Sequence, residues 1–165
     1  MEAGLSLGSN LGDRLEQLRQ AVSRLAALPC VRVLARSRVY ETEPVEVPAA
    51  YRGLAFLNAV VIVEWPGTVR ELLAAAKALE RAAGRVRGER NGPRTLDVDI
   101  LYAGAARLDE PDLMVPHPRW AERRFVVEPL AEVRPDLVLP GNRQTAREAL
   151  TALPAGGVRV FAESL

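Results

Sequence analysis

The first half of the chain alternates between runs with apolar residues at every second position and runs with apolar residues at every third or fourth. Residues 3–8 predict a short strand that ends in a glycine turn. Apolar residues then recur at helical spacing from Leu11 to Leu25. Asp13 and Glu16 provide a start signal for this predicted helix, and Pro29 ends it.

Two further strands and one helix are predicted by the same criteria. Residues 31–40 alternate apolar with polar over much of their length, as a half-buried strand does, whereas residues 56–63 are almost continuously apolar and predict a buried strand. Thr68 and Glu71 form a capping box that begins a helix, and Gly84 fits its C-terminal cap. The apolar face of this helix consists of Val69, Leu72, Leu73, Ala76 and Leu79.

Two segments between these elements lack a period and predict loops. Residues 41–55 are rich in Glu, Pro and Ala, and a structureless loop of this length in a compact domain is usually functional or disordered. Residues 84–94 are irregular and rich in arginine. They lead into a strand of alternating type at residues 96–102, after which a short hairpin is expected to turn at Ala103–Gly104.

The remainder of the chain predicts helices at residues 125–133 and 145–153 and a last strand at residues 158–161. Strand pairs that alternate with helices favour an α+β fold, specifically a ferredoxin-like α/β sandwich with a central, mainly antiparallel sheet flanked by helices. Neither an internal repeat nor a linker divides the sequence, which predicts a single domain over residues 1–165.

Composition and charge narrow the classes of function. The net charge of +1 over 165 residues gives no bulk electrostatic case for binding nucleic acid or an anionic membrane. Cys30 is the only cysteine, which excludes an intrachain disulfide and a zinc knuckle. Neither a signal peptide nor an apolar run of membrane-spanning length is evident. A cytoplasmic protein is therefore expected. A monomer or weak homodimer is a separate expectation, which the composition does not decide.

The chemistry-bearing pattern is a pair of aspartates preceded by an arginine-rich loop. Asp97 and Asp99 are two residues apart in a predicted strand, so their carboxylates project from one face, with Cα atoms roughly 6.5 Å apart. Carboxylate oxygens at this spacing suit magnesium ions held between the protein and a triphosphate. On Asp-x-Asp alone, a strand with a solvated polar face is the simpler interpretation.

Two neighbouring features favour the metal site over that simpler interpretation. Aspartate is disfavoured in strands, so two on one face require a reason. The preceding loop, residues 84–94, contains four arginines, three glycines and one proline. Since guanidinium groups bind phosphate oxygens through paired donors, the loop and the carboxylates together predict phosphoryl-type transfer.

The segment from Arg90 to Leu101, Arg-Asn-Gly-Pro-Arg-Thr-Leu-Asp-Val-Asp-Ile-Leu, closely resembles the signature of the 6-hydroxymethyl-7,8-dihydropterin pyrophosphokinases. The resemblance extends over nearly the whole chain. Its other parts, in order, are Gly8-Ser9-Asn10-Leu11, Tyr40 with Thr42 and Pro44, Phe56-Leu57-Asn58-Ala59, Glu80 before Gly84-Arg85-Val86-Arg87, Val115-Pro116-His117-Pro118, and Arg123 with Phe125. Several members of the family carry an aromatic residue where this chain has Asn91.

The resemblance implies an enzyme that transfers the β,γ-diphosphate of ATP to the hydroxymethyl group of a reduced pterin, with two magnesium ions. It assigns the metal ions to Asp97 and Asp99, and it implies that Arg87 approaches the reacting phosphates as its loop closes. The implied ATP-site residues are Glu80, Arg85, Arg94, Ile100, His117 and Arg123. The implied pterin-site residues are Thr42, Pro44, Val45, Phe56, Asn58 and Phe125, with the two phenylalanines stacking on the ring and the amide of Asn58 bonding its edge.

Two other functions are consistent with parts of the sequence. Ferredoxin-like sheets can bind RNA, although the near-neutral charge and the lack of an aromatic RNA-binding strand oppose that function here. A metal-dependent nucleotidyl transferase would also use two aspartates. The released product separates this second alternative from a pyrophosphokinase, because the pyrophosphokinase releases AMP and the nucleotidyl transferase releases diphosphate.

Overall fold

The strands and helices predicted from the periodic runs are present, and a computed structural model describes them over residues 1–42, 49, 54–84 and 95–165. The strands are β1 (Glu2–Ser9), β2 (Arg32–Arg36), β3 (Val39–Thr42), β4 (Phe56–Glu64), β5 (Asp97–Ala103), β6 (Leu108–Glu110), β7 (Leu113–Val115) and β8 (Val158–Ala162). The helices are α1 (Arg14–Ala26), α2 (Val69–Ala82), α3 (Arg124–Val133) and α4 (Ala146–Ala152), with a 3-10 turn at Trp120–Glu122.

The main sheet has the strand order β5-β1-β4-β3-β8, and β2 pairs with the other half of β4. Its strand pairs are antiparallel. If β2 and β3 are counted as one interrupted strand, the order of the first four strands, with α1 after the first and α2 after the third, is that of a ferredoxin-like sandwich. The predicted fold class is therefore confirmed.

Alternating side chains of the strands form two apolar cores on opposite faces of the sheet. Leu5 and Leu7 of β1 and Val61 of β4 pack in the core that includes α1 and α2. Ile62, the next residue of β4, packs on the other face, in the core that includes Leu130 of α3. This period of two fixes which residues of each strand can face a ligand.

The helix signals in the sequence correspond to observed caps. The Asp13 side chain accepts a hydrogen bond from the Glu16 N–H at 3.2 Å and begins α1. Thr68 and Glu71 form the reciprocal capping box of α2, and Gly84 follows that helix with a φ of +81°, a conformation that glycine adopts without a steric penalty. Within the described residues, no helix is both long enough and apolar enough to cross a membrane.

Three sequence-based expectations differ from the structure. Leu11 lies outside α1 and is 45% exposed, since the helix begins only after the Asp13 cap. The strand predicted at residues 31–40 is divided into β2 and β3 at Ser37, whose hydroxyl accepts a hydrogen bond from the Val60 N–H and locally replaces the regular ladder. The hairpin expected at Ala103–Gly104 is wrong, because β6 pairs with β7 rather than with β5.

Gly4 of β1 provides a test of packing on the second face of the sheet. A Cβ atom at Gly4 would overlap with the Tyr102 ring, lying 2.9 Å from Cδ1. The Tyr102 hydroxyl is itself held by Glu2 at 2.6 Å. We expect Gly4→Ala to lower the free energy of unfolding by about 1–3 kcal/mol in urea titrations, the usual cost of overpacking. In a Tyr102→Leu background the same change should cost much less; equal costs in the two backgrounds would contradict this explanation.

Candidate active site

Three neighbouring strands place Asn58, Gly8 and Asp97 in one row across the sheet. Gly8 of β1 is the Cα partner of Asn58 on β4 and of Asp97 on β5. Side chains at directly paired positions lie on the same face. With strands ~4.8 Å apart, the Cα atoms of Asn58 and Asp97 lie about 10 Å apart across Gly8. The row therefore has an amide at one end and a carboxylate at the other.

The second carboxylate lies two residues further along β5. The side chains of Val98 and Ile100 are buried in the core that includes α1 and α2, so Asp97 and Asp99 project from the opposite face, where both are partly buried. Burial, followed by the charge of Asp97, raises the pKa of Asp99 to about 6, while the positive charge of Arg123 acts in the opposite direction. The pair therefore concentrates negative charge at one end of the sheet.

Glu80 of α2 fixes the backbone between the two aspartates. Strand β5 is an edge strand, and the Val98 N–H donates to Glu80 Oε1 at 3.0 Å. The Glu80 side chain is 6% exposed and forms an ion pair with Lys77 at 3.5 Å. A buried carboxylate thus accepts the hydrogen bond of an edge-strand amide and determines where Asp97 and Asp99 are presented.

A hydrogen bond between β3 and β4 orients the amide of Asn58. Asn58 Nδ2 donates to Thr42 Oγ1 at 2.8 Å, and both residues are 4% exposed. A Cβ atom placed on Gly8 would lie 3.0 Å from Asn58 Oδ1 and 3.7 Å from Phe56 Cδ1. The amide oxygen and the edge of the phenyl ring therefore lie beside Gly8 on the same face as Asp97.

His117 lies next to β5 and is held by two backbone groups. The backbone N–H of His117 donates to the Leu101 carbonyl at 2.9 Å, and the ring Nδ1 accepts from the backbone N–H of Arg119 at 3.1 Å. Burial and the charges of Arg123 and Arg119 lower the pKa of His117 to about 4. Since Nδ1 is an acceptor, the neutral ring carries its proton on Nε2 and can donate it in a hydrogen bond.

Arg123 and Phe125 lie where α3 begins. The Arg123 guanidinium carbon is 5.8 Å from the centre of the Phe125 ring, within the range of a cation–π contact. Phe125 is partly buried against the core that includes α3 and α4. The positive charge of Arg123 acts to lower the pKa of both Asp99 and His117, so this cation lies near the carboxylate pair.

Arg14, to which the sequence analysis assigned no role, connects the strands that carry Thr42 and Phe56. Its Nη1 donates to Glu41 Oε2 at 3.0 Å and to the Ala55 carbonyl at 2.9 Å. Glu41 precedes Thr42, the last residue of β3, and Ala55 precedes Phe56, the first residue of β4. The only sequence signal was an arginine in the first turn of a predicted helix, which is an ordinary surface position. Its contacts depend on the tertiary fold and could not be read from spacing.

The donor set at the two aspartates fits magnesium. Mg²⁺ prefers oxygen ligands and commonly takes one or two protein carboxylates, completing its shell with waters and substrate phosphates. Asp97 and Asp99 offer two carboxylates on one face, and over residues 1–42, 49, 54–84 and 95–165 no group of three or more metal-ligating side chains converges, here or elsewhere. A site that relies on phosphate oxygens for its remaining ligands is therefore consistent with these residues.

The structure brings together part of the predicted constellation. Thr42, Asn58 and Phe56 meet at one end of the row, and Asp97 and Asp99 are at the other. The side chain of Ile100 is 6% exposed in the opposite core, so only its backbone could contact a nucleotide. Five residues with predicted roles lie outside the described residues: Pro44, Val45, Arg85, Arg87 and Arg94.

Comparison with known proteins shows the family of this chain. Residues 4–135 match the model of the 7,8-dihydro-6-hydroxymethylpterin-pyrophosphokinase (HPPK) family. The chain is 43% identical over 157 residues to a 2-amino-4-hydroxy-6-hydroxymethyldihydropteridine pyrophosphokinase of Methylorubrum extorquens, with 94% of this chain and 96% of that protein covered. It is 41% identical over 161 residues to the Bacillus subtilis protein of the same name, with 96% and 89% covered.

The fold is also that of a solved relative. A Plasmodium falciparum HPPK-DHPS variant, crystallised with pterin and p-hydrobenzoate, superposes with a TM-score of 0.67 at 14% sequence identity, covering 91% of this chain and 44% of that one. The family match, together with two carboxylates on one face of the sheet, indicates a diphosphate-transferring enzyme as the class. Within that class, the chain belongs to the 7,8-dihydro-6-hydroxymethylpterin-pyrophosphokinase family.

The raised pKa of Asp99 predicts a stability cost in the metal-free protein. A carboxyl group whose pKa rises from 3.8 to about 6 on folding destabilises the fold; the cost is absent below pH 3.8 and complete above pH 6. We therefore expect Asp99→Asn, with EDTA present, to increase the free energy of unfolding by about 1–3 kcal/mol at pH 7.5. The gain should shrink as the pH falls towards 4.

The control for this measurement is Asp109→Asn, which removes an exposed carboxylate from β6. Its effect on unfolding should be small at both pH values. If Asp99→Asn were less stable than the wild type at pH 7.5, the unfavourable burial of this carboxylate would be disproved.

Proposed function

We propose that this chain transfers the β,γ-diphosphate of ATP to the hydroxymethyl oxygen of 6-hydroxymethyl-7,8-dihydropterin, producing AMP and the pterin diphosphate for folate synthesis. Membership of the family supports the reaction class. The observation that carries the proposal is the row Asn58–Gly8–Asp97, since it places an amide suited to a heterocycle about two strand spacings from a carboxylate suited to a metal-bound phosphate.

The Asn58 end of the row is proposed to bind the pterin. An amide can donate to and accept from the edge of a pterin ring, and the Thr42 hydrogen bond fixes which atoms of Asn58 remain for the ligand. Phe56 lies beside that amide. Phe125, in the first turn of α3, lies on the same face of the sheet. In this proposal the two rings stack on the ligand, while the backbones of Thr42, Pro44 and Val45 contact its polar edge.

The Asp97 end is proposed to bind the triphosphate. Two magnesium ions held by Asp97 and Asp99 would neutralise phosphate charge and activate the phosphorus towards attack. His117 is suited to donate Nε2–H to a phosphate oxygen, because its low pKa keeps it neutral and its Nδ1 is already engaged. Because its proton sits on Nε2, this arrangement favours His117 as a donor rather than as a base. Arg85, Arg94 and Arg123 are proposed to contact the triphosphate. Arg87 is proposed to approach the reacting phosphates only as its loop closes.

The proposed reaction is a single displacement. The hydroxymethyl oxygen forms a bond to the β-phosphorus, the bond between that phosphorus and the oxygen bridging to the α-phosphate breaks, and AMP leaves with the electron pair. The hydroxyl proton passes to solvent. The protein's contribution is positioning: Asn58 orients the acceptor, Glu80 fixes the β5 backbone, and the cationic side chains hold the phosphates in line.

The product of turnover tests the proposal directly. With ATP, magnesium and the reduced pterin, the purified protein should release AMP in a pterin-dependent manner. Asp97→Asn should lower kcat at least about 100-fold, by analogy with the loss of one charge-stabilising group, and leave the circular dichroism spectrum unchanged. Asp109→Asn is the matched control. Release of diphosphate instead of AMP would indicate a nucleotidyl transferase.

The aromatic character of Phe125 tests the pterin end. If its ring stacks on the ligand, Phe125→Leu should weaken pterin binding by roughly 1–3 kcal/mol, the range measured for base–aromatic stacking, and change ATP binding little. Calorimetry with each ligand separately gives the comparison. Val126→Ala, a packing change at a residue that is 3% exposed in the same helix, controls for general damage. Equal losses for both ligands in Phe125→Leu would contradict stacking.

A further inference from the structure

Gly8 is a strand residue that contacts the pterin end of the proposed site but has no assigned role. It lies inside β1, where glycine is unfavourable because it packs no side chain and costs backbone entropy. We propose that Gly8 is a positioning residue that determines pterin recognition. Because Gly8 lacks a side chain, the Asn58 amide has the space to adopt the orientation in which it binds the ligand. This inference rests on the proposed function.

The close approach of the Asn58 amide is the first observation. An ideal Cβ atom on Gly8 would lie 3.0 Å from Asn58 Oδ1, whereas an ordinary van der Waals contact of a Cβ atom is 3.4–4 Å. The amide would have to move away by several tenths of an ångström. Its Nδ2 is anchored to Thr42 Oγ1 at 2.8 Å, and Asn58 and Thr42 are each 4% exposed, so this movement would strain or break that hydrogen bond.

The other neighbours of Gly8 predict that the effect is confined to the pterin end. Among the described residues, the next nearest heavy atoms to the added Cβ would be Phe56 Cδ1 at 3.7 Å and the Leu57 carbonyl oxygen at 3.9 Å, both in ordinary contact. Asp97 is the cross-strand partner of Gly8 on the other side, yet it is not among these three nearest contacts. A methyl group at Gly8 should therefore perturb the amide and spare the carboxylate.

Gly4 provides a matched comparison within the same strand. It lies four residues before Gly8 and on the same face, but a Cβ there would meet the ring of Tyr102, in the core that includes α3 and α4. Thus the two glycines have different reasons for lacking a side chain. Gly4 makes room for a packed ring, which concerns stability, and Gly8 makes room for a ligand-binding amide, which concerns recognition.

The test compares Gly8→Ala with Gly4→Ala in the full-length protein. Gly8→Ala should raise the KM and Kd for the reduced pterin about tenfold, equivalent to one hydrogen bond of usual net strength, with ATP affinity close to wild type and a smaller loss of Tm than in Gly4→Ala. Gly4→Ala should lower Tm and leave the pterin KM unchanged. Unchanged pterin binding in Gly8→Ala, or parallel losses of pterin binding, ATP binding and Tm, would overturn the proposal.

A second variant tests whether Gly8 acts through Asn58. Asn58→Ser lacks the oxygen that the new methyl group would contact, so adding Gly8→Ala to this variant should raise the pterin Kd less than twofold. If the two changes instead multiply as independent effects, the positioning role through Asn58 is wrong. A wild-type protein that binds ATP but neither binds the pterin nor releases AMP with it would refute the proposed function itself.

Discussion

The antiparallel register of β1 with its two neighbours is the constraint on which the site depends. That register pairs Gly8 with Asn58 on one side and with Asp97 on the other, and it pairs Ser6 with Asp99. Because side chains alternate with a period of two, a shift of one residue in either pairing would move the carboxylates or the amide into the α1 and α2 core. The buried Leu5, Leu7 and Val61 oppose such a shift. The apolar core therefore specifies the geometry of the polar face opposite to it.

The same register brings charges together at a cost to the fold. Asp97 and Asp99 are partly buried on an edge strand, with Glu80 buried behind the backbone that joins them. Burial raises the pKa of Asp99, and repulsion by the negative charges of Asp97 and Glu80 adds to that effect. A bound metal cation would relieve this repulsion. The unfavourable electrostatics of the free protein are thus a source of affinity for cations.

Local periodicity and capping chemistry predicted most of the fold, whereas tertiary contacts decided the rest. The capping box at Thr68 and the continuous apolar run of β4 are encoded over a few residues, so spacing alone identified them. The division of one predicted strand at Ser37 depends on a hydrogen bond to Val60, 23 residues away, and could not be read locally. The aspartate pair could be recognised from the sequence because two carboxylates that suit a metal ion lie two residues apart in a predicted strand, which places them on one face. The contacts of Arg14 and the role proposed for Gly8 arise between elements that are distant in sequence.

The position of the Asn58 amide, which is proposed to bind the pterin, depends on contacts on both faces of β3. On one face, Thr42 orients the Asn58 amide. On the other face, the preceding residue, Glu41, accepts hydrogen bonds from Arg14 of α1 and Arg159 of β8. Glu41 and Thr42 are adjacent, so the position of the Thr42 hydroxyl follows from a backbone that charged side chains on the opposite face hold in place. The guanidinium of Arg14 also binds the Ala55 carbonyl, immediately before Phe56. Arg14 thus links the ends of β3 and β4, which also pair directly with each other and which are the two strands proposed to contact the pterin.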